Sequence, residues 1–385
     1  MNIGIMTSNA SFLDNYGAVL QAYAMVEQLK KWGCKPEIIN YQYSTGSQTV
    51  SVENKVDRSL RARLQYILGG DVSFVQKIHY RLARGKRTAQ ANLFRAFLKN
   101  NMPINLERSV PYEELEKRSS DFQCLICGSD QVWNPLIHAN RNDPGFFLQF
   151  GSPSCKRIAY APSFGISKLP DEAKKDLREY TKCFNALSVR ESSGASIMKE
   201  VCGINVPVVL DPTMMADLSV WKKFDKMPVG IPEKYILVYR FGGLDYMEQQ
   251  IKRLKTELKL PVLEIPVSIE SYGKKSNLIF GVGPEEFMAL IRKATMVLTD
   301  SFHASVFSVL NHTPFYTFLR QGKNEKNSMN NRMENLLEMF GLQNRLIYPD
   351  DTADCYAEIN FSDVDKILAA KRNASQQFLL NALRE

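Results

Sequence analysis

Short apolar runs alternate with amphipathic stretches along most of this chain, which restricts it to parallel β-sheets whose crossovers are helices. Asn2–Met6 reads as a strand and Thr7–Asn15 as a polar loop. Val19, Leu20, Tyr23, Ala24, Val26 and Leu29 then recur on one side of a helix that Gly33 ends, and Pro36–Tyr41 is strand-like again. The rhythm returns with strands at Phe122–Cys127, Arg157–Tyr160, Ala186–Val189 and Pro207–Leu210, and helices at Asp171–Cys183 and Ser192–Val201. A second series starts near Pro232. Its strands are Tyr235–Tyr239, Val262–Val267, Thr295–Thr299 and Phe315–Leu319, and its helices Asp245–Leu258, Pro284–Lys293, His303–Leu310 and Arg332–Phe340. A chain of 385 residues is too long for one core, since single cores stop growing at about 250–300 residues. The expected fold is α/β: two doubly wound, Rossmann-like units, residues 1–225 and 226–385, facing a cleft and joined by a linker between Asp217 and Pro232. A last helix, Asp363–Leu383, is expected to pack back on the first unit. Such sheets bind ligands at the C-terminal ends of their strands, so candidate residues are sought there.

The formal net charge is +8, yet the segment from Lys55 to Lys99 alone carries eleven Lys/Arg against Asp57 and Asp71. Its apolar residues, such as Leu60, Leu64, Phe74, Ile78, Leu82, Leu93 and Phe97, recur at three- and four-residue steps, so it reads as a basic helical insertion. Two readings stand side by side: a solvated insertion, or a peripheral docking surface for anionic lipid. No RNA- or DNA-binding module accompanies the charge, so no nucleic acid partner is expected. The seven cysteines are scattered and odd in number, which suits a reducing compartment. Cys124 and Cys127 lie inside an apolar strand, where positions three apart point to opposite faces, so no metal site is expected of them. Without a signal-peptide pattern or an apolar run of about 20 residues, the expected location is the cytoplasm, peripheral at the inner face of the membrane if the lipid reading holds.

Three strand ends carry chemistry. Thr299-Asp300-Ser301-Phe302-His303 runs straight into a helix, and an imidazole on a helix first turn sits among free N–H groups that favour an anion. A lone histidine is more often a packed core group; the strand-to-helix turn weighs here for function. Ser188-Val189-Arg190-Glu191 places a guanidinium that can take a carboxylate or phosphate, or simply pair with Glu191 on the surface. Gly128-Ser129-Asp130-Gln131-Val132-Trp133-Asn134-Pro135 suits a sugar, with Asp130 and Gln131 on hydroxyls and Trp133 stacking on the ring. A packed turn with Trp133 in the core fits equally well.

Taken together and in order, these motifs resemble the polysaccharide pyruvyl transferase family. Asn15-Tyr16-Gly17-Ala18-Val19-Leu20-Gln21 is similar to the family's opening, and the Gly128–Pro135 and Ser188–Glu191 segments, Leu210-Asp211-Pro212-Thr213, Thr299–Ala304 and Asn331-Arg332 follow in sequence. The resemblance implies a fold like the GT-B glycosyltransferases and phosphoenolpyruvate as donor, with no cofactor or metal. It implies donor contacts from Arg190, Ser301, Phe302, Lys323 and Arg332, and acceptor contacts from Asn15, Tyr16, Gln131 and Trp133. His303 becomes the candidate general acid and Asp130 the candidate base. Some members carry an arginine two residues before the histidine; this chain has Ser301. Alternatives are a GT-B glycosyltransferase using a nucleotide sugar and a non-catalytic glycan-binding homologue. Against the first, no two Glu stand eight positions apart between Pro232 and Asp350.

Overall fold

The structure is a computed structural model and describes residues 1–9, 12–43, 74–138, 141–242, 244–267, 269–272, 277–319, 331–349, 351–354 and 357–384. Strands β1 (Asn2–Met6), β2 (Lys35–Ile38), β3 (Cys124–Cys127), β4 (Lys156–Ala159) and β5 (Ala186–Leu187) form one parallel sheet in the order β2-β1-β3-β4-β5. Strands β6 (Ile236–Tyr239), β7 (Val262–Ile265), β8 (Asn277–Leu278), β9 (Met296–Thr299), β10 (Phe315–Phe318) and β11 (Leu346–Ile347) form a second, in the order β11-β10-β9-β6-β7-β8. Both are doubly wound. The order reverses between β1 and β3 in the first sheet and between β6 and β9 in the second, and a crevice opens at the strand C-termini of such switch points. The central strands are buried on both faces, which is why Cys124-Leu125-Ile126-Cys127 and Ile236-Leu237-Val238-Tyr239 read as unbroken apolar runs. Burial pushes the Cys124 thiol up to about 12 and Cys127 well above its ordinary value, so both are inert packing groups.

In the first unit the helices are α1 (Tyr16–Lys31), α2 (Phe74–Leu82), α3 (Arg84–Asn101), α4 (Tyr112–Ser119), α5 (Asp171–Tyr180), α6 (Ser192–Ile197), α7 (Pro212–Met215) and α8 (Ser219–Lys222). The second has α9 (Asp245–Leu258), α10 (Pro284–Lys293), α11 (Phe302–Leu310), α12 (Asn331–Met339) and α13 (Phe361–Arg384). Asn15 caps α1 by accepting from Ala18 N at 3.2 Å, and Gly33 leaves it in the left-handed region at φ 78°. Two expected elements differ. The helix expected over Ser192–Val201 is an α-helix only to Ile197 and continues as a π-turn over Met198–Cys202. The strand expected at Pro207–Leu210 is a single bridge, Val208 against Val189, because the chain must turn at once into α7. Of the basic segment, residues 55–73 lie outside the described residues. No described helix is long and apolar enough to cross a membrane.

One apolar cluster runs through both units. Tyr16 of α1 stacks on Phe287 of α10 at 4.2 Å and 8°, and its hydroxyl donates to Val282 O at 2.7 Å. Helix α13 crosses back: Arg372 Nε donates to Met214 O at 2.8 Å and Gln376 Nε2 to Met215 O at 2.9 Å. The two units are therefore packed on each other through helices α1, α7, α10 and α13.

Candidate active site

Each crevice is sealed by side-chain hydrogen bonds across its switch point. In the first unit Thr7, just past β1, donates to Ser129 O past β3 at 3.2 Å. In the second, the Asp300 carboxylate past β9 accepts from Phe241 N at 2.8 Å and Gly242 N at 2.9 Å past β6. These bonds fix the loops that carry Asp130 and His303.

At the centre lies Asp211, the N-cap of α7 and fully buried. Its Oδ1 accepts from Thr213 N at 3.0 Å and Thr213 Oγ1 at 2.7 Å. Its Oδ2 accepts from Ser129 Oγ and from Arg190 NH1, both at 2.9 Å, and stands 3.6 Å from His303 Nε2. Burial works to raise the Asp211 carboxyl. The nearby His303 imidazole, the Arg190 guanidinium and the Thr213 N–H outweigh it and hold Asp211 well below the usual carboxylate range. Asp211 is thus a fixed negative charge between a guanidinium of its own unit and an imidazole of the other. Since the folded-state value is depressed below the ~3.9 of an unfolded chain, ionised Asp211 stabilises the fold in full above that value. The contribution fades as pH falls below it toward the folded-state value. The stability gap between wild type and Asp211→Asn, read from urea midpoints, is expected to be widest near neutrality and to narrow below about pH 4. A gap constant down to pH 3 would contradict the charged network.

Arg190 is buried and faces three carboxylates: Asp211 at 2.9 Å, Glu191 at 3.6 Å and Asp130 at 3.8 Å. The Phe302 ring covers it at 4.6 Å. Glu191 is no surface partner, because its Oε1 ties down the next loop through Ser163 Oγ at 2.8 Å and Phe164 N at 3.0 Å. Arg190 Nε and NH2 are buried and make no hydrogen bond, which leaves N–H donors aimed away from Asp211. Burial lowers the tendency of Arg190 to stay charged, but Asp211, Glu191 and Asp130 together raise it above its ordinary value.

His303 enters from α11, whose N-cap Ser301 accepts from Ala304 N at 3.5 Å. The position where some relatives have arginine is therefore a helix cap. Phe302 meets the His303 ring edge-on at 5.2 Å. On the other side, Gly17 of α1 lies so close that a Cβ there would stand 2.2 Å from His303 Nδ1 and 2.5 Å from its Cγ. One ring nitrogen faces α1 and the other faces Asp211, so the first unit holds both sides of the second unit's imidazole. Asp130, with a left-handed φ of 69° and a partly exposed side chain, borders the same space. With the Gln131 amide turned so that its oxygen faces α12, Arg332 of that helix donates to it at 3.1 and 3.3 Å.

The sequence-predicted residues thus divide. His303, Arg190, Asp130, Gln131, Phe302, Ser301 and Arg332 come together. Trp133 and Tyr16, expected at the acceptor, are packing groups: Trp133 is 1% exposed and stacked on Phe147 at 4.6 Å, and Tyr16 is the interdomain stack described above. Large apolar rings gain more by burial against other rings than by facing a cleft. Asn15 is occupied as the α1 cap, and Lys323 lies outside the described residues. Sequence reasoning gave no role to Asp211, Gly17, Ser129 or Glu191. The Leu210-Asp211-Pro212-Thr213 string was the available signal, since Asp before Pro after an apolar run marks a cap at a strand end.

Arg190, Asp211, Phe302, Arg332 and Asn335 line a cavity of about 10 Å³, room for one water at most.

An imidazole, a buried arginine and carboxylates thus converge between the two units of an α/β protein, at the crevices of their sheets. The model of the family described as polysaccharide pyruvyl transferase matches residues 15–321, and the chain belongs to that family. No curated protein matches the sequence. Among solved structures, UDP-GlcNAc 2-epimerase from Methanocaldococcus jannaschii is similar at 14% identity and TM-score 0.47, over 97% of this chain and 93% of that one. UDP-GlcNAc 2-epimerase from Neisseria meningitidis is similar at 12% identity and TM-score 0.46, over 100% of both chains. The E. coli heptosyltransferase WaaC with ADP is similar at 11% identity and TM-score 0.37, over 96% of this chain and 100% of that one.

Proposed function

We propose that this protein is a cytoplasmic pyruvyl transferase that moves the pyruvyl group of phosphoenolpyruvate onto a sugar of a cell-surface polysaccharide or its lipid-linked precursor. The observation that carries the reading is the imidazole of His303 held between Gly17 and Asp211, with Arg190 on the same Asp211 oxygen. In this reading the His303 imidazolium gives its proton to the methylene carbon of the enol, and C2 becomes electrophilic. A sugar hydroxyl attacks C2 and its proton passes to the Asp130 carboxylate. The C2–O bond to phosphate breaks with its electron pair on the leaving phosphate; a second hydroxyl of the same sugar then bonds to C2 to close the ketal, its proton passing to the departing phosphate, and the Asp130 proton returns to His303. Every cation needed is a side chain, so the reading calls on no cofactor.

The donor's two anionic groups would meet Arg332, the unbonded Nε and NH2 of Arg190, and the N–H groups of the α11 first turn. Arg190 NH1 stays on Asp211, so its first task is to neutralise the buried carboxylates. Arg190→Ala would leave those charges uncompensated, a loss of about 3–5 kcal/mol in stability, and so reads folding before donor binding. Arg332→Ala is the cleaner donor test: with a charge-assisted bond worth roughly 1.5–3 kcal/mol, the KM for phosphoenolpyruvate is expected to rise about ten-fold or more. An unchanged KM would remove Arg332 from the donor site. The cavity is too small for a three-carbon phosphate ester, so entry requires the α12 side, with Arg332 and Asn335, to move outward.

Phosphate release on mixing enzyme, phosphoenolpyruvate and a panel of lipid-linked sugars tests the whole reading. Thermal protection by nucleotide sugars but not by phosphoenolpyruvate would replace it with a glycosyltransferase.

A further inference from the structure

Helices α2 and α3 form an elbow at Ala83. One side of this elbow is anchored. Lys77 is buried, Tyr80 meets Tyr272 of the second unit edge-on at 5.2 Å, and Phe94, Phe97 and Leu98 of α3 are in the core. The other side is not: Ile78 and Leu82, four residues apart and so on one helical stripe, are 39% and 78% exposed. Exposed Arg84, Arg95 and Lys99 accompany them, and from Phe74 through Leu106 there is no Asp or Glu.

We infer that this elbow is a docking surface for an anionic lipid bilayer, Leu82 and Ile78 entering the acyl boundary while the arginines and lysines meet lipid phosphates. The occupant follows from charge and side-chain chemistry. A second copy of the chain would bring the same cations against themselves. A nucleic acid would want aromatic rings to stack on, whereas the exposed apolar groups are aliphatic and Tyr80 is engaged with Tyr272 and with Arg87, whose guanidinium lies 3.4 Å above its ring. Aliphatic side chains ringed by cations, on a helix whose opposite face is fixed to the protein, match the interface between headgroups and acyl chains. Because the elbow packs on both units, docking would hold the cleft at a set orientation to the bilayer. That orientation serves a lipid-linked acceptor, a link that rests on the proposed pyruvyl transfer; the docking itself does not.

Sedimentation of the full chain with phosphatidylcholine vesicles, with and without phosphatidylglycerol, tests this without donor or acceptor present. Binding is expected only to the anionic vesicles. Leu82→Asp and Ile78→Asp are expected to weaken it by about ten-fold or more, and Arg84→Gln or Arg95→Gln by about five-fold each. Absence of binding to anionic vesicles, or variants at position 82 that bind as well as wild type, would overturn the inference. A protein partner on the same face would give the first of those results. Phosphate release from phosphoenolpyruvate measured in parallel shows whether the transfer reading stands when docking fails.

Discussion

Replacing His303 by glutamine is expected to lower pyruvyl transfer by a factor of about 10²–10⁴, the range that a positioned general acid contributes, while both sheets remain folded. Glutamine approximates the volume of imidazole and can still meet Asp211 by its amide, so the contact with α1 is largely kept. What it lacks is a transferable proton. Proton delivery to the enol carbon is the step the chemistry cannot skip, because phosphoenolpyruvate becomes electrophilic at C2 only when its methylene is protonated. The loss should therefore fall on kcat with the KM for phosphoenolpyruvate changed little, since in the proposed site the donor's anionic groups would be held by other residues. Phosphate release under saturating donor measures kcat, and circular dichroism with a melting curve checks the fold. A variant that turns over at the wild-type rate would remove His303 from the mechanism. A variant that melts early would instead show that the imidazole acts mainly as packing between α1 and α11.

Much of this arrangement is legible in the sequence because strands buried on both faces have to be apolar runs, and such runs are short and conspicuous. The ends of β3 and β9 could be read for the same reason: polar residues abruptly follow Cys127 and Thr299, and that is where a parallel sheet opens to its crevice. What stayed hidden depends on distance along the chain. Asp211 is far in sequence from Ser129 and from His303 and meets them only because two switch points face each other. Gly17 reads as an ordinary weak point in a helix, and its use appears only when the other unit's imidazole is placed against it. Trp133 misled for a physical reason. A ring next to Asp and Gln suits a sugar, but in the turn that follows central strand β3 the ring is packed inward, against Phe147 and Phe164. The basic segment was readable as helical, whereas its split into an anchored and an exposed side follows from which residues the second unit covers.

Gly17→Ala is the second large effect. A methyl at this position would overlap the His303 ring at 2.2 Å from Nδ1, 2.5 Å from Cγ and 2.9 Å from Cβ, all far inside van der Waals contact. Rotation of the ring alone cannot relieve a clash that reaches the Cβ, so α1 and α11 must part or the side chain must leave its rotamer. Overpacking of this kind costs about 1–3 kcal/mol. Displacing a reacting group by about 1 Å can lower turnover by about 10², which is the loss in pyruvyl transfer expected here. The cause can be isolated with a double-mutant cycle. In a His303→Gly background the ring and the Cβ are both gone, and Gly17→Ala should then cost little, giving a coupling close to the whole single-mutant effect. If the substitution destabilises both backgrounds equally, the glycine is required by α1 itself, and the imidazole is not held by the opposite unit as the distances indicate. If the two effects couple, the general acid of one unit is seated by a bare backbone position and a carboxylate of the other. Separating the units would then disarm the acid, and wasteful protonation of the donor would be suppressed until the cleft is assembled around both substrates.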